Sequence, residues 1–133
     1  MIQQINSGSV CFLNYNLAFG GTEKVIVSLA NHLAASGRSV SILIMTPDHD
    51  FKDFLNPSVE VIHLNISSMK QVVPSLLKLL NRRKFDNFIA NVWPLTALSF
   101  VVKICSRRTK LIYIEHCNLS EQFKSRGPLF KFI

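Results

Sequence analysis

The stretch SVCFLNYNLAFGGTEKVIVSLANHLAASGRSVSILIM, residues 9–45, decides the fold. Two apolar runs, residues 9–14 and 39–45, are bounded by glycine or polar residues, which predicts two buried strands. Between them apolar residues recur at helical spacing, starting at Thr22, which can cap a helix, and stopping before Gly37, which suits a left-handed C-terminal position. A strand, a helix and a strand in this order form a βαβ unit, and such units build parallel sheets.

The alternation continues through the rest of the chain. Residues 59–64, 85–91 and 110–116 each predict a further strand, and the alternating polarity of the first of these favours a position near the sheet edge. An apolar stripe at helical spacing from Met69 to Leu80 predicts a helix between the first two of these strands. Residues 94–106 predict another, which is apolar almost all round and so expected to be largely buried.

Prolines and acidic residues indicate where these predicted helices begin. Pro74 is compatible with its helix only in the first turn, and Pro94 suits the first helical position. Asp50 and Asp53 are expected to cap and begin a short turn at residues 51–55. Five strands alternating with helices predict an α/β fold, a Rossmann-like doubly wound parallel sheet that forms one domain over residues 1–133.

Composition excludes several classes of protein. Of the 133 residues 48% are hydrophobic and 17% charged, which is typical of a folded globular chain. The three cysteines, Cys11, Cys105 and Cys117, are far apart and favour neither a disulfide framework nor a structural zinc site. The N-terminus has no signal-peptide pattern and no apolar run reaches the roughly 18 residues that span a bilayer, so a cytoplasmic protein is expected.

Positive charge is concentrated in the second half of the chain. Residues 67–133 carry twelve basic and three acidic side chains, a net charge of +9, whereas the whole chain carries +7. Lys78, Arg82, Arg83 and Lys84 lie close to the leucines of one predicted helix, a combination that suits the anionic inner face of a membrane. A solvated rim around core leucines is the other interpretation. Nucleic acid is not expected, because no nucleic-acid-binding motif is present and no aromatic residues interleave with the cations.

The residues that follow the predicted strands are the candidates for a site, because open parallel sheets bind ligands there. Gly20 and Gly21 precede a helix, where a phosphate can approach backbone N–H groups, although a simple turn into the helix, taken alone, explains them better. Their spacing matches neither the dinucleotide-binding nor the P-loop motif. Asn16, Trp93 and Asn118 follow three different strands and could line a cleft.

Acidic and histidine residues do not indicate a metal centre. Asp48 and Asp50 have the spacing of the metal-binding carboxylates of some sugar transferases, but ordinary loop roles explain them better. His32, His49 and His63 have no companions at ligand spacing, so they are expected to be structural or surface residues. No metal and no cofactor is therefore expected.

Residues 12–45, FDNFIANVWP and KLIYIEHCN together resemble the N-terminal, acceptor-side domain of retaining family 4 glycosyltransferases of the GT-B fold. The resemblance implies that Gly20, Gly21, Thr22 and Glu23 form the loop that faces the donor diphosphate. It further implies that His116 is the catalytic histidine beside the transferred sugar. The substrates would be a nucleotide-sugar and a glycan or lipid-linked acceptor.

Members of that family contain a second domain that holds the nucleotide, and its Glu-x7-Glu element is not found in these residues. The chain is thus expected to be inactive without that domain, which a second chain could supply. The alternative is a non-catalytic domain that binds an anionic membrane or a partner chain.

Overall fold

Five parallel strands form one sheet in the computed structural model, which describes residues 8–92 and 94–115. Each strand lies within the segment that its apolar residues predict, so the Rossmann-like α/β fold is confirmed. The strands are β1 (Val10–Asn14), β2 (Val40–Ile44), β3 (Glu60–His63), β4 (Asn87–Asn91) and β5 (Lys110–Ile114).

The helices alternate with the strands as expected, and the short turn predicted between β2 and β3 is a 3₁₀ helix. Pro74 is the third residue of its helix, so it lies in the first turn as predicted. The helices are α1 (Gly21–Ala35), α2 (Val72–Arg82), α3 (Leu95–Leu98) and α4 (Val101–Cys105), with short 3₁₀ helices at Lys52–Phe54 and Met69–Gln71.

The strand order β3-β2-β1-β4-β5 places β1 at the centre of the sheet. All five residues of β1 and of β2 are buried, whereas the edge strands β3 and β5 have exposed and half-buried positions. The edge position predicted for residues 59–64 is therefore confirmed. Central parallel strands are covered on both faces, which is why their sequences are apolar without interruption.

Side chains of β1 divide between two cores because successive residues of a strand point to opposite faces. Phe12 packs on the side of α1, together with Ile26 and Ala30 of that helix. Leu13 packs on the other side, with residues of α2 such as Leu76. Helices thus cover both faces of the sheet, as in a doubly wound fold.

The ends of α1 are built differently from each other. At the C-terminus Gly37 has a φ of 87°, its N–H donates to Ala34, and the N–H of Arg38 donates to Leu33. This is a complete Schellman motif, and it confirms the left-handed glycine. The cap predicted at Thr22 is wrong, since the N-cap is Gly20 and no side chain caps the helix.

The predicted helix over residues 94–106 is also wrong in part. It is interrupted at Ser99, whose hydroxyl donates to the carbonyl of Thr96 at 2.6 Å, and the next backbone bonds join residues three apart. Such local bonding competes with regular helix geometry. Phe100 and Ile104 are 50% and 70% exposed, so this segment is not largely buried. Pro94 is the N-cap of α3 rather than its first residue.

Gly37→Ala should destabilise the chain by about 1 kcal/mol, because a Cβ disfavours the left-handed region. Gly21→Ala is the matched control. No other group lies within 4 Å of a Cβ built at Gly21, and its φ is not positive, so stability should be unchanged or slightly higher. Urea denaturation midpoints measure both. Equal midpoints for the two variants would contradict the assigned helix end.

Candidate functional site

Buried asparagines end two neighbouring strands at the carboxyl edge of the sheet. β1 ends in Asn14 and β4 in Asn91, which are 2% and 0% exposed. The register pairs Leu13 with Ala90, so Asn14 and Asn91, the next residues of the two strands, lie side by side. The strand order reverses here, since β2 and β3 lie on one side of this pair and β5 on the other. Open parallel sheets bind ligands at such a switch point.

Asn14 also shapes the loop that leads to α1. Its Nδ2 donates to the carbonyl of Asn16 at 2.8 Å, and Oδ1 of Asn16 accepts the N–H of Ala18 at 3.2 Å. Asparagine stabilises tight turns through such bonds to nearby backbone. Half-buried Asn16 therefore lies at the carboxyl edge, where it was expected as part of a cleft wall, and it is engaged in holding the loop.

The loop after β2 binds the loop after β1. Buried Leu17 donates its N–H to Asp48 at 2.9 Å, and Asp50 donates its N–H back to Leu17 at 2.9 Å. Oδ2 of Asp50 accepts the N–H of Phe19 at 3.0 Å, immediately before the glycine pair. A carboxylate acceptor strengthens this bond relative to a neutral one. Asp50 thus fixes the start of the glycine loop.

The cap expected at Asp50 is therefore wrong. Phe51 is the N-cap of the 3₁₀ helix Lys52–Phe54, and no side chain caps that helix. Asp48 accepts a hydrogen bond from the hydroxyl of Thr46 at 3.1 Å. Within residues 8–92 and 94–115 no three His, Cys, Asp or Glu side chains are close enough together to hold a metal ion.

His49, in the loop after β2, pairs with Leu17 in the loop after β1 through a parallel β-bridge. Burial lowers the pKa of His49, and the nearby charges of His63 and Lys52 lower it further, against the opposing effect of Asp50 and Asp53. The neutral imidazole is therefore favoured in the folded state.

The two glycines of the loop differ in accessibility. Oε2 of Glu23 occupies the space beside Gly20, so a side chain there would displace the carboxylate. Beside Gly21 nothing lies within 4 Å. A phosphate could thus approach the backbone freely at Gly21, whereas at Gly20 it would meet the negative charge of Glu23. Thr22 and Glu23 are half-buried in the first turn of α1.

An aromatic groove adjoins the glycine pair. Phe19, Phe51 and Phe54 pack edge to face, with ring centroids 4.9 to 6.4 Å apart, and Phe19 is 68% exposed. Edge-to-face packing is a favourable arrangement of aromatic rings. The groove has a volume of about 600 Å³ and is lined by Phe19, Gly20, Gly21, Lys24, Val27, Ser28, Asn31, Phe51 and Phe54.

At the end of β4, Asn91 and Val92 are both in unfavourable states. Among the described residues neither Nδ2 nor Oδ1 of Asn91 has a hydrogen-bond partner. Val92 has a φ of 63°, a left-handed value that β-branched residues rarely adopt. A buried amide without partners costs about 1–3 kcal/mol, and backbone strain of this kind costs a similar amount. Two such costs at adjacent residues are typical of functional positions.

The end of β5 is anchored to α3, since the hydroxyl of Thr96 donates to Oε1 of Glu115 at 2.8 Å. Glu115 follows β5 directly and so lies at the carboxyl edge. His116 was expected to be catalytic, and Trp93 and Asn118 were expected to line the cleft. All three residues lie outside the described part of the chain.

The four clustered cations do not form one free surface. Arg83 forms an ion pair with Glu60 at 2.6 Å, donates to the hydroxyl of Ser41 and lies over the ring of Phe85. Nζ of Lys84 donates to the carbonyl of Cys105 at 2.9 Å. Lys78 and Arg82 are exposed on α2.

The leucines beside these cations belong to the core of the protein. Leu76 and Leu80 are 0% and 2% exposed, and Leu77 is partly buried against the same cluster. Side chains that fill the core are not available for insertion into a bilayer.

A basic cavity of about 370 Å³ opens at the opposite, amino edge of the sheet. It is lined by Gly8, Arg38, Asp86, Asn87, Arg108 and Lys110. Oδ2 of Asp86 accepts hydrogen bonds from the backbone and the hydroxyl of Ser9, which ties the first described residues to β4. This cavity is separated from the glycine loop by the length of the strands.

No helix of the described residues is long and apolar enough to cross a bilayer. No protein-family model matches the chain, and no curated protein matches it. Evidence for a function therefore comes from the residues and the geometry of the chain itself.

Several residues of this edge were not expected from the sequence. Asn14 and Asn91 each end an apolar run. A polar residue at the end of a buried strand is a sequence signal that could have marked both as candidate site residues. The aromatic groove and the bond from Phe19 to Asp50 join residues 31 positions apart, which no local pattern indicates.

Asp50→Ala should loosen the glycine loop. Loss of the bond to the Phe19 amide removes about 1 kcal/mol of local stabilisation, so exchange of that amide should become about five times faster. Hydrogen exchange followed by NMR measures this. Asp53→Ala changes an exposed carboxylate on the same turn and should leave Phe19 unchanged; equal effects of both variants would contradict the specific bond.

Proposed function

We propose that the chain is the acceptor-side domain of a retaining glycosyltransferase that uses a nucleotide-sugar donor. The main support is the carboxyl edge of the sheet, where the glycine loop and the buried asparagines meet at the switch point between β1 and β4. The resemblance of residues 12–45 to the opening of the family 4 enzymes adds to this support.

The donor diphosphate would approach the loop at Gly21. Open space beside this residue lets a phosphate reach the start of α1, where backbone N–H groups and the helix dipole favour negative charge. Lys24, exposed on the next part of the helix, adds a positive charge to the same groove. Glu23 would lie beside the diphosphate and orient the loop rather than bind phosphate.

His116 would act on the sugar side of the transferred bond. It follows Glu115 at the end of β5, and β5 is two strands from β1. Adjacent strands lie about 4.8 Å apart, so the ends of β1 and β5 are separated by about 10 Å, the size of a sugar with its phosphate. An imidazole there would donate a hydrogen bond to a sugar hydroxyl and stabilise the charge that develops during transfer.

The reaction would exchange one bond at the anomeric carbon for another. The bond to the diphosphate oxygen breaks, a bond to an acceptor oxygen forms on the same face of the sugar, and the acceptor proton passes to the departing diphosphate. In this proposal the nucleotide itself is held by a separate domain. No resident cofactor or metal ion is part of the proposal.

A non-catalytic domain that binds an anionic membrane has less support. Two of its four proposed cations, Arg83 and Lys84, already bind other groups of the chain, and Leu76 and Leu80 are core residues. The charge that remains exposed on α2 is that of an ordinary solvated helix face.

Titration of the ¹⁵N-labelled chain with UDP-glucose and GDP-mannose tests the proposal. At least one should bind with a Kd in the millimolar range, because only the diphosphate and sugar contacts are present. Shifts should be concentrated at residues 16–24 and at the ends of β4 and β5. Gly21→Ala should weaken binding at least about fivefold without lowering stability, because its Cβ occupies the approach to the backbone.

Two controls make this titration decisive. Free glucose and inorganic phosphate should each shift fewer residues than the intact nucleotide-sugar. The proposal is wrong if neither nucleotide-sugar shifts the carboxyl edge, if the shifts lie at the basic cavity of the amino edge, or if Gly21→Ala binds as well as the unchanged chain.

A further inference from the structure

We propose that Asn91 and the strained corner at Val92 form a subsite for a neutral, hydroxyl-bearing group, such as the ring of a sugar or another polyol. This inference deepens the proposed function. It rests on that function only where it identifies the bound polyol as the acceptor of the transferred sugar. Its physical basis is the state of Asn91, the amide of which has both its donor and its acceptor buried without a partner among the described residues.

Several other buried polar side chains have partners, although within the described residues Nδ1 of His49, in the loop after β2, is also buried without one. Asn14 donates to Asn16, the hydroxyl of Ser99 donates to Thr96, and that of Thr109 donates to the carbonyl of Phe85. Asn91 is fully buried and, within the described part of the chain, neither its donor nor its acceptor is used. A buried amide is retained without partners at a cost in stability, so its presence calls for a partner beyond the described residues, which a bound ligand would supply.

Val92 holds that side chain in place. Its N–H donates to Ile114 at 3.0 Å and its carbonyl accepts the N–H of Thr96 at 3.3 Å, so β5 and the start of α3 together enforce the left-handed backbone. Strained conformations persist where the surrounding structure determines them, and they are concentrated at ligand-binding sites. The strain and the unpaired amide are independent observations at consecutive residues.

The direction of the side chain follows from the alternation along β4. Ile89, two residues earlier, packs in the core on the α1 side, so Asn91 lies on that same face. Asn14 is on the same face of β1, two residues after Phe12. The amide of Asn91 is therefore on the side of the sheet that the glycine loop and α1 cover.

The chemistry of the site favours an uncharged ligand. Along the sheet edge the described neighbours of Asn91 are Asn14 and Ile114, neither of which carries a charge. Glu115 alternates to the opposite face, where it accepts the hydrogen bond from Thr96. A carboxamide offers a donor and an acceptor side by side, which match two adjacent hydroxyl groups. A phosphate or a metal ion would require charges that these neighbours do not provide.

Binding should include an opening step. Because Asn91 has no exposed surface, a ligand reaches its amide only after a neighbouring segment moves. Association should accordingly be slower than for an open groove.

Two leucine variants test the proposal. Asn91→Leu keeps the branched shape and the number of heavy atoms and removes the unpaired polar atoms, so it should raise the melting temperature of the free chain by about 3–6 °C. Asn14→Leu, the matched control, removes a buried amide that has a partner and should lower the melting temperature. If leucine at position 91 prevents folding, Asn91→Ala removes the same amide without added bulk and should melt within about 3 °C of the unchanged chain.

Ligand binding is measured on the same proteins by saturation-transfer NMR. Glucose, mannose, N-acetylglucosamine and myo-inositol at about 50 mM are the probes, which suits millimolar affinities. At least one should bind the unchanged chain, and Asn91→Leu should weaken it at least about tenfold. Lys78→Ala, which changes an exposed residue of α2 on the opposite face of the sheet, should leave this polyol binding unchanged.

Three results would overturn the subsite: a lowered melting temperature for Asn91→Leu like that of Asn14→Leu, no binding of any probe, or equal binding by Asn91→Leu. Polyol binding at Asn91 without nucleotide-sugar binding at Gly21 would retain the subsite and reject the transferase. Nucleotide-sugar binding with no effect at Asn91 would do the reverse.

Discussion

Parallel pairing of β1 with both β2 and β4 is the constraint on which the other features depend. Val10–Asn14 is buried along its whole length and bonds β2 on one side and β4 on the other. Because every strand runs in the same direction, the loops that follow β1, β2 and β4 emerge at one edge. This is what allows Asp50 to hold the glycine loop and what brings the two asparagines side by side.

Stability and binding make opposite demands at the end of β4. A leucine in place of Asn91 would extend the core of the α1 face, and a residue without a branched Cβ would fit better at Val92. Asn14, one strand away, is equally buried but satisfied, so burial alone does not leave an amide unpaired here. The cost is thus local to the switch point, where a ligand can compensate it.

Much of this arrangement could be predicted from the sequence, because strands and helices follow from local patterns. Uninterrupted apolar runs indicated β1 and β2, alternation indicated the edge strand β3, and Gly37 marked the end of α1. Other features depend on contacts between distant residues. The break at Ser99, the role of Asp50 and the left-handed backbone of Val92 arise from tertiary hydrogen bonds that leave no periodic signal.

The most direct test of this account is a set of cross-strand proton contacts in the isotopically labelled chain. Parallel pairing predicts backbone contacts of Leu13 with Leu43 on one side and with Ala90 on the other, and contacts between the side-chain amides of Asn14 and Asn91. An antiparallel pattern, or a strand other than β4 beside β1, would separate the asparagines and contradict the site proposed at the carboxyl edge.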